Sequence, residues 1–295
     1  MWQRAAAVTR VAPGTVLAGA QAGIIVAAME PSLDALIAYK GAAVAVWLGL
    51  LFVGERLRPA AAPPSPAALG GPEAPAGGRA RLGRNGGMWL INTGLSLLVV
   101  VPVSAWATGH GLGLRPAWWS GWGGLLADLI LLDFLIYWWH RLNHEAPLLW
   151  RFHEIHHLDR FLDTTTALRF HFGEVLLSAL VRAAAIAALG LPVLSVLAFE
   201  TLLLAATIFH HSNLRLPAGL ERRLARVVIT PSIHWVHHHR ARRDTDSNYG
   251  TVFSFWDGLF GSRSPTRRTP AMAIGVEGQP ERPFLSLLAR PFARR

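Results

Sequence analysis

The chain has 295 residues, of which 52% are hydrophobic and 16% charged, well below the roughly 25% charged residues of an ordinary soluble domain. The formal charge of +10 would suit a nucleic-acid binder, but long apolar runs exclude that reading: arginines beside membrane spans follow the positive-inside rule and bind anionic headgroups. With no cysteine at all, disulfides, thiolate-bound zinc, iron-sulfur clusters and thiolate-ligated haem are excluded, so any metal must be held by nitrogen or oxygen.

Taken in chain order, Arg4 and Arg10 precede a weakly apolar stretch, Gly14 to Met29, that ends at Glu30 and Pro31 without a convincing cleavage site. It reads as a short membrane segment that is retained. A stronger span runs over Ala42 to Val53 and extends back through Leu36, giving an N-terminal membrane region over 1–54. Residues 55–87 are rich in Pro, Ala and Gly, carry Arg56, Arg58, Arg79, Arg81 and Arg84, and show no apolar periodicity, which predicts a flexible linker.

Further spans are expected at Met88 to Ala107, at Leu125 to Trp139, and as a hairpin from Val175 to Phe209 broken by Gly190 and Pro192. Arg182 and Glu200 in that hairpin should face protein or reach the interface. The predicted fold is therefore all-α, an integral membrane bundle of about four to six helices with a histidine-rich cap. The catalytic domain is expected over 88–263, and 264–295 reads as a basic, poorly ordered tail. Arg215, Arg222, Arg223, Arg226, Arg240, Arg242 and Arg243 lie on the side of the histidines and mark it as cytoplasmic.

All the histidines except His110 fall between His140 and His239. His140 and His144 form HxxxH, and His153, His156 and His157 form HxxHH, a pattern that His234, His237 and His238 repeat. Residues at i, i+3 and i+4 share one helical face, so each box aims two or three imidazoles at one point. Eight rings exceed what one tetrahedral zinc can use, which points to two metals; His171 and His211 could bring the set to ten. A lone histidine is usually a satisfied interior residue, but three boxes in order are not read that way.

Ligating imidazoles usually hand their second N–H to a carboxylate or carbonyl, and Asp133, Glu154, Asp159, Asp163, Glu174, Asp244, Asp246 and Asp257 are at hand. Asp133 would share the face of His140 two turns earlier, or else be a helix-end charge. Trp138, Trp139, Trp150, Trp235 and Trp256 read as an interfacial belt ahead of a substrate channel.

The segments HRLNH, WRFHEIHH, TALRFH, FHHSN, TPSIHWVHHH and DSNYGTVFSFWDGLFG, in that order, resemble the fatty acid hydroxylase and sterol desaturase superfamily over about Glu55 to Gly261. The resemblance implies a non-haem di-iron centre on the cytoplasmic side that uses O2 to hydroxylate or desaturate lipid C–H bonds. It implies His140, His144, His153, His156, His157, His234, His237 and His238 as catalytic metal ligands, with His171 and His211 as further ligands. His210 and His239 adjoin His211 and His238, which leaves open which of each pair binds. Asn248, Tyr249, Trp256 and Asp257 match a family element taken as packing or outer support.

No flavin, haem or dinucleotide motif is evident, so electrons are expected from a ferredoxin or cytochrome b5-like donor with its reductase, steered by the basic face. Two iron ions are the expected cofactors, with zinc able to replace them on overexpression. The alternatives are a relative of alkylglycerol monooxygenase, which uses a pterin reductant, and a non-enzymatic histidine-rich metal-binding membrane protein. The latter should carry its ligands within the spans.

Overall fold

The computed structural model describes residues 32–63, 65 and 78–293. The apolar segment expected at Gly14 to Met29 lies outside these. The chain falls into two compact units, Met1–Ala42 and Ala43–Arg295; of the first, the described part is the start of helix α1.

Five helices are long and apolar enough to cross a membrane, which agrees with an all-helical membrane bundle. They are α1 (Leu33–Leu57), α2 (Arg79–Gly109), α3 (Gly121–Glu145), α5 (Phe172–Leu189) and α6 (Val193–His211). Between α3 and α5 lies α4 (Pro147–His157), whose proline sits at the first helical position, where its missing N–H costs nothing. A short α8 (Pro231–His237) begins the same way; α7 (Ala218–Leu224) precedes it. After it come α9 (Arg242–Thr245), α10 (Phe255–Leu259) and α11 (Phe284–Ala289). Among the described residues there is no strand, only isolated bridges such as Val228 with Phe253.

The spans alternate in direction. At one end α5 stops at Gly190, in the left-handed conformation (φ 70°) that glycine adopts freely, and Pro192 opens α6. The loop leaving α2 covers this turn: the N–H groups of Leu112, Leu114 and Arg115 donate to the carbonyls of Ala187, Ala188 and Leu189, which α5 cannot satisfy itself. A Cβ on Gly111 would stand 2.5 Å from the Gly190 Cα, so the contact requires glycine. Leu132, Ile136, Ala183, Ile186, Val196 and Phe199 form the apolar core between α3, α5 and α6.

At the opposite end the polar groups gather. Glu55, at the end of α1, accepts from the N–H groups of Thr164 and Asn213. Arg81 in the first turn of α2 is buried and donates to both carboxylates Asp159 and Asp163 and to the Phe161 carbonyl. Burial pushes the Asp159 carboxyl up, but the guanidiniums of Arg81 and Arg169 and the hydrogen bonds from Arg81 and Asn85 together outweigh this and leave it below its ordinary value.

Two expectations need correction here. Residues 79–87 do not behave as linker: they open α2, and Arg81, Arg84 and Asn85 are buried because the acids after α4 face them. The segment after Ser264 is likewise packed, not loose. Glu281 pairs with the buried Arg169, Arg290 pairs with Glu154, and Leu287 is fully buried against Met88, Ile155 and Leu158.

Removing one partner of a buried ion pair costs about 3–5 kcal/mol because the other charge stays buried. Arg81→Met should therefore lower the unfolding temperature of the detergent-solubilised protein markedly. Arg79→Met, on the exposed side of the same turn, should stay within about 0.5 kcal/mol of the parent.

Candidate metal centre

The histidines sort into two groups, each with its ligand atoms within 4.8 Å of one another: His140, His144, His153, His157 and His237 in one, and His156, His211, His234 and His238 in the other. The spacing of the boxes explains the sorting. In each HxxHH box the i, i+4 pair goes to one group and the i+3 ring to the other: α4 gives His153 and His157 to the first and His156 to the second, while His234 and His238 go to the second and His237 to the first. HxxxH, at the end of α3, adds its pair to the first group, and His211, at the end of α6, completes the second.

Orientation is set from behind. A carbonyl can only accept, so the ring nitrogen facing it carries the proton and leaves the other with its lone pair. The Nδ1–H of His140 donates to Tyr249 O at 2.8 Å, that of His156 to Arg169 O at 3.1 Å, that of His211 to Thr207 O at 2.7 Å and that of His237 to Ser247 O at 2.6 Å. His153 uses the Glu174 carboxylate at 2.8 Å. The free Nε2 atoms then face inward: His156 and His211 approach to 2.9 Å, His211 and His234 to 2.9 Å, His153 and His157 to 3.2 Å, and His234 and His238 to 3.2 Å.

That arrangement tests whether metal fits. Bare lone pairs of His156 and His211 repel at such a distance unless a cation lies between them, and nitrogens bound at ~2.0–2.1 Å to one ion stand about 3 Å apart. The buried Nε2 atoms of His144 and His237 also find no hydrogen-bond partner, a cost of about 1–3 kcal/mol each if nothing else satisfies them. Burial, and then the neighbouring imidazoles, hold His156, His157, His234, His237 and His238 well below the ordinary histidine value. They are therefore neutral near pH 7, as ligation requires. The donor set, all nitrogen and in two groups, suits two first-row transition ions.

His171 is a correction. Its Nδ1 accepts from the Gly173 N–H and its Nε2–H donates to Leu288 O, so both nitrogens are spent and it stays out of both groups. It tethers the start of α5 to the C-terminal segment. His210 lies tilted against His234 with ring centroids 4.0 Å apart and donates to Thr251 O, and His239 pairs with Asp244; neither joins a group. His110 lies across the bundle, stacked on Trp106.

Among the described acids, Glu174 alone orients a grouped ring by hydrogen bond, with Asp246 Oδ1 3.4 Å from His144 Nδ1; carbonyls orient His140, His156, His211 and His237. Asp133 accepts from the N–H groups of Val252 and Phe253 and from Trp256 Nε1, and Asp257 from those of Tyr249 and Gly250. Together they hold the segment whose alternate carbonyls, at 247, 249 and 251, receive His237, His140 and His210. The segment is irregular, with Asn248 in the left-handed conformation at φ 53°. Gly250 is required there: a Cβ would lie 2.8 Å from Phe253 O and 2.9 Å from Asp257 Oδ2. Sequence reasoning missed Arg169, whose carbonyl orients His156 while its guanidinium grips Glu281.

Protein purified without chelator should hold about two metal ions per chain, read by elemental analysis. His156→Ala and His237→Ala should each lower that number, His110→Ala should not, and Gly250→Ala should lower it without removing any ligand. Stripped of metal, the fold should lose stability as pH falls below about 6.5. The unfolded imidazoles take up protons there, whereas the buried ones resist until the pH is lower still. A stability unchanged from pH 7 to 5 would contradict the neutral cluster.

Residues 125–262 match the fatty acid hydroxylase family profile. The chain is 30% identical over 171 residues to an ornithine lipid hydroxylase of Rhizobium tropici, covering 58% of this chain and 51% of that one. It is 32% identical over 160 residues to an alkylglycerol monooxygenase of Danio rerio (54% and 34%) and 30% identical over 164 residues to a cholesterol 25-hydroxylase-like protein of the same fish (55% and 61%). The matches thus span about half of the first relative and about a third of the second. No solved structure matches. The histidine boxes lie inside the matched residues, so this segment, a little under half of the chain, is similar to the fatty acid hydroxylase family.

Proposed function

We propose that the chain is a multi-pass membrane monooxygenase that converts a lipid C–H bond to C–OH, consuming one O2, two electrons and two protons and releasing one water. The observation that carries this reading is the pair of inward-facing imidazole groups, five and four rings, at the end of a bundle of apolar helices. When bound, two iron ions supply the O2 activation that side chains cannot perform. His140, His144, His153, His157 and His237 would hold one, and His156, His211, His234 and His238 the other.

The protein's own residues do three things. The carbonyls of residues 169, 207, 247 and 249 and the Glu174 carboxylate keep the Nε2 lone pairs pointed inward. The rings of Trp150, tilted at 5.0 Å, and Tyr249, edge-on at 5.3 Å, pack against His144 and hold it in the cluster. The boxes sit at the ends of spans, level with the membrane surface where a lipid's reactive segment can reach them. Hydroxylation is favoured over desaturation by the names of the relatives.

Electrons come from a separate ferredoxin or cytochrome b5-like protein. A pterin donor is the second reading, favoured by the likeness to alkylglycerol monooxygenases at 31–32% identity in several animals. Overexpressed protein should carry some zinc, which stands above iron in the affinity order.

The cluster faces the cytoplasm in this proposal. Both connections at the far end, 110–120 and 190–192, contain a single arginine, Arg115, whereas the connections on the histidine side are arginine-rich.

Lipids from cells expressing the chain should gain a species heavier by one oxygen, absent with His156→Ala, and purified iron-loaded protein should consume O2 only with lipid and donor. A product lighter by two hydrogens would turn the reading to desaturation. Single cysteines placed beside His153 in this cysteine-free chain should label only from inside; labelling from outside would overturn the orientation.

A further inference from the structure

Beside the five-histidine group lies a cavity of about 460 Å³ that opens to solvent and reaches His144, within the usual range for small-molecule sites. His144 and Tyr249 line its inner part; Arg141 and Glu145, from the last turn of α3, form one wall, and Arg242 and Asp246, from α9 and just beyond, the other. Each wall is an i, i+4 ion pair, with side-chain exposures of 27% and 52% in the first and 48% and 36% in the second.

Both guanidiniums are held in place. Arg242 lies 4.4 Å from the Trp150 ring centre and donates to the His144 carbonyl, while Arg141 lies 5.3 Å from that of Trp138. Beside the polar walls the surface turns apolar. Trp138, Leu142 and Leu259 are 39%, 46% and 68% exposed, and Phe260, next to the pocket residue Gly261, packs on Trp138 at 5.0 Å.

The two walls cancel in charge, and that decides what fits. An anion drawn by Arg141 and Arg242 is opposed by Glu145 and Asp246, and a cation meets the reverse. A group carrying both signs can pair with all four. Exposed ion pairs contribute only about 0–1 kcal/mol each, so exchanging a partner for a ligand group costs little.

We propose that this pocket receives the zwitterionic head of the lipid substrate, an ammonium and a carboxylate or phosphate on one small group, with the chains lying along Trp138, Leu142 and Leu259. The proposal rests on the lipid-oxygenase reading and sharpens it: because His144 belongs both to the pocket and to the five-histidine group, the oxidised C–H bond lies in or close to the head.

The test is equilibrium binding to zinc-loaded protein in nanodiscs, where no turnover intervenes, of an ornithine-headed lipid, its N-acetylated anionic form, its methyl-ester cationic form, and free ornithine. The zwitterionic lipid should bind about tenfold tighter than either charged form. Free ornithine should bind far more weakly than its lipid; equal binding of the two would make this a site for a soluble zwitterion and overturn the lipid assignment. Arg242→Gln combined with Asp246→Asn should erase the preference while the metal content stays at that of the parent. Should that variant misfold, Glu145→Gln, at the most exposed of the four side chains, serves alone, improving binding of the anionic lipid and weakening that of the cationic one.

Equal binding of the three lipids, or variants that leave their order unchanged and instead raise the donor concentration needed for turnover, would overturn the pocket assignment. If iron-loaded protein oxidises lipids without regard to head charge, the pocket fails and the oxygenase reading survives. If the binding order holds but no donor supports oxidation, the reverse is true.

Discussion

The structure depends on gathering nine imidazoles, eight of them buried, with ring nitrogens turned toward one another, an arrangement of facing lone pairs that needs a cation between them and partners that fix the rings from behind. Each orienting hydrogen bond therefore has a long supporting chain. His140 is aimed by a carbonyl on an irregular segment, that segment is pinned by Asp133 and Asp257, and the Asp133 carboxylate is planted in α3 itself. The same helix thus supplies two of the grouped histidines and the anchor for the backbone that orients one of them.

A second polar layer closes the cluster from the opposite side. Arg81, Asp159, Asp163 and Thr166 bind the start of α2 to the loop after α4, and Arg169 with Glu281 brings the C-terminal segment onto the same region. Buried ion pairs are costly to desolvate and offer little net stability. Their value here is geometric: they set where α4 stands, and α4 carries three of the grouped histidines.

Much of this was legible in the sequence. The boxes announced themselves because helical spacing of 3 and 4 residues converts directly into a shared face, and apolar length gave the spans. What stayed hidden were features with no local signature. The arginines of residues 79–87 resembled a solvated linker because their partners lie some 80 residues further on, and the tail's order depends on Arg169 and Glu154, which propensity cannot anticipate. His171 shows the converse error. Its TALRFH setting matched the family pattern, but its ring is turned the other way, with the lone pair on Nδ1 already taken by Gly173. The acids were likewise expected to orient the rings, whereas carbonyls mostly do, and carbonyls have no sequence identity to read.

The exchange of rings between the two HxxHH boxes couples the two sites mechanically. Neither α4 nor α8 belongs to one group, so an ion that draws His153 and His157 into register also fixes the height and rotation at which His156 meets the other group, and α8 transmits the same constraint in return. For the two-ion centre proposed above, loading would then be cooperative: the second ion would meet ligands already ordered by the first, and loss of one ion would loosen the grip on the other.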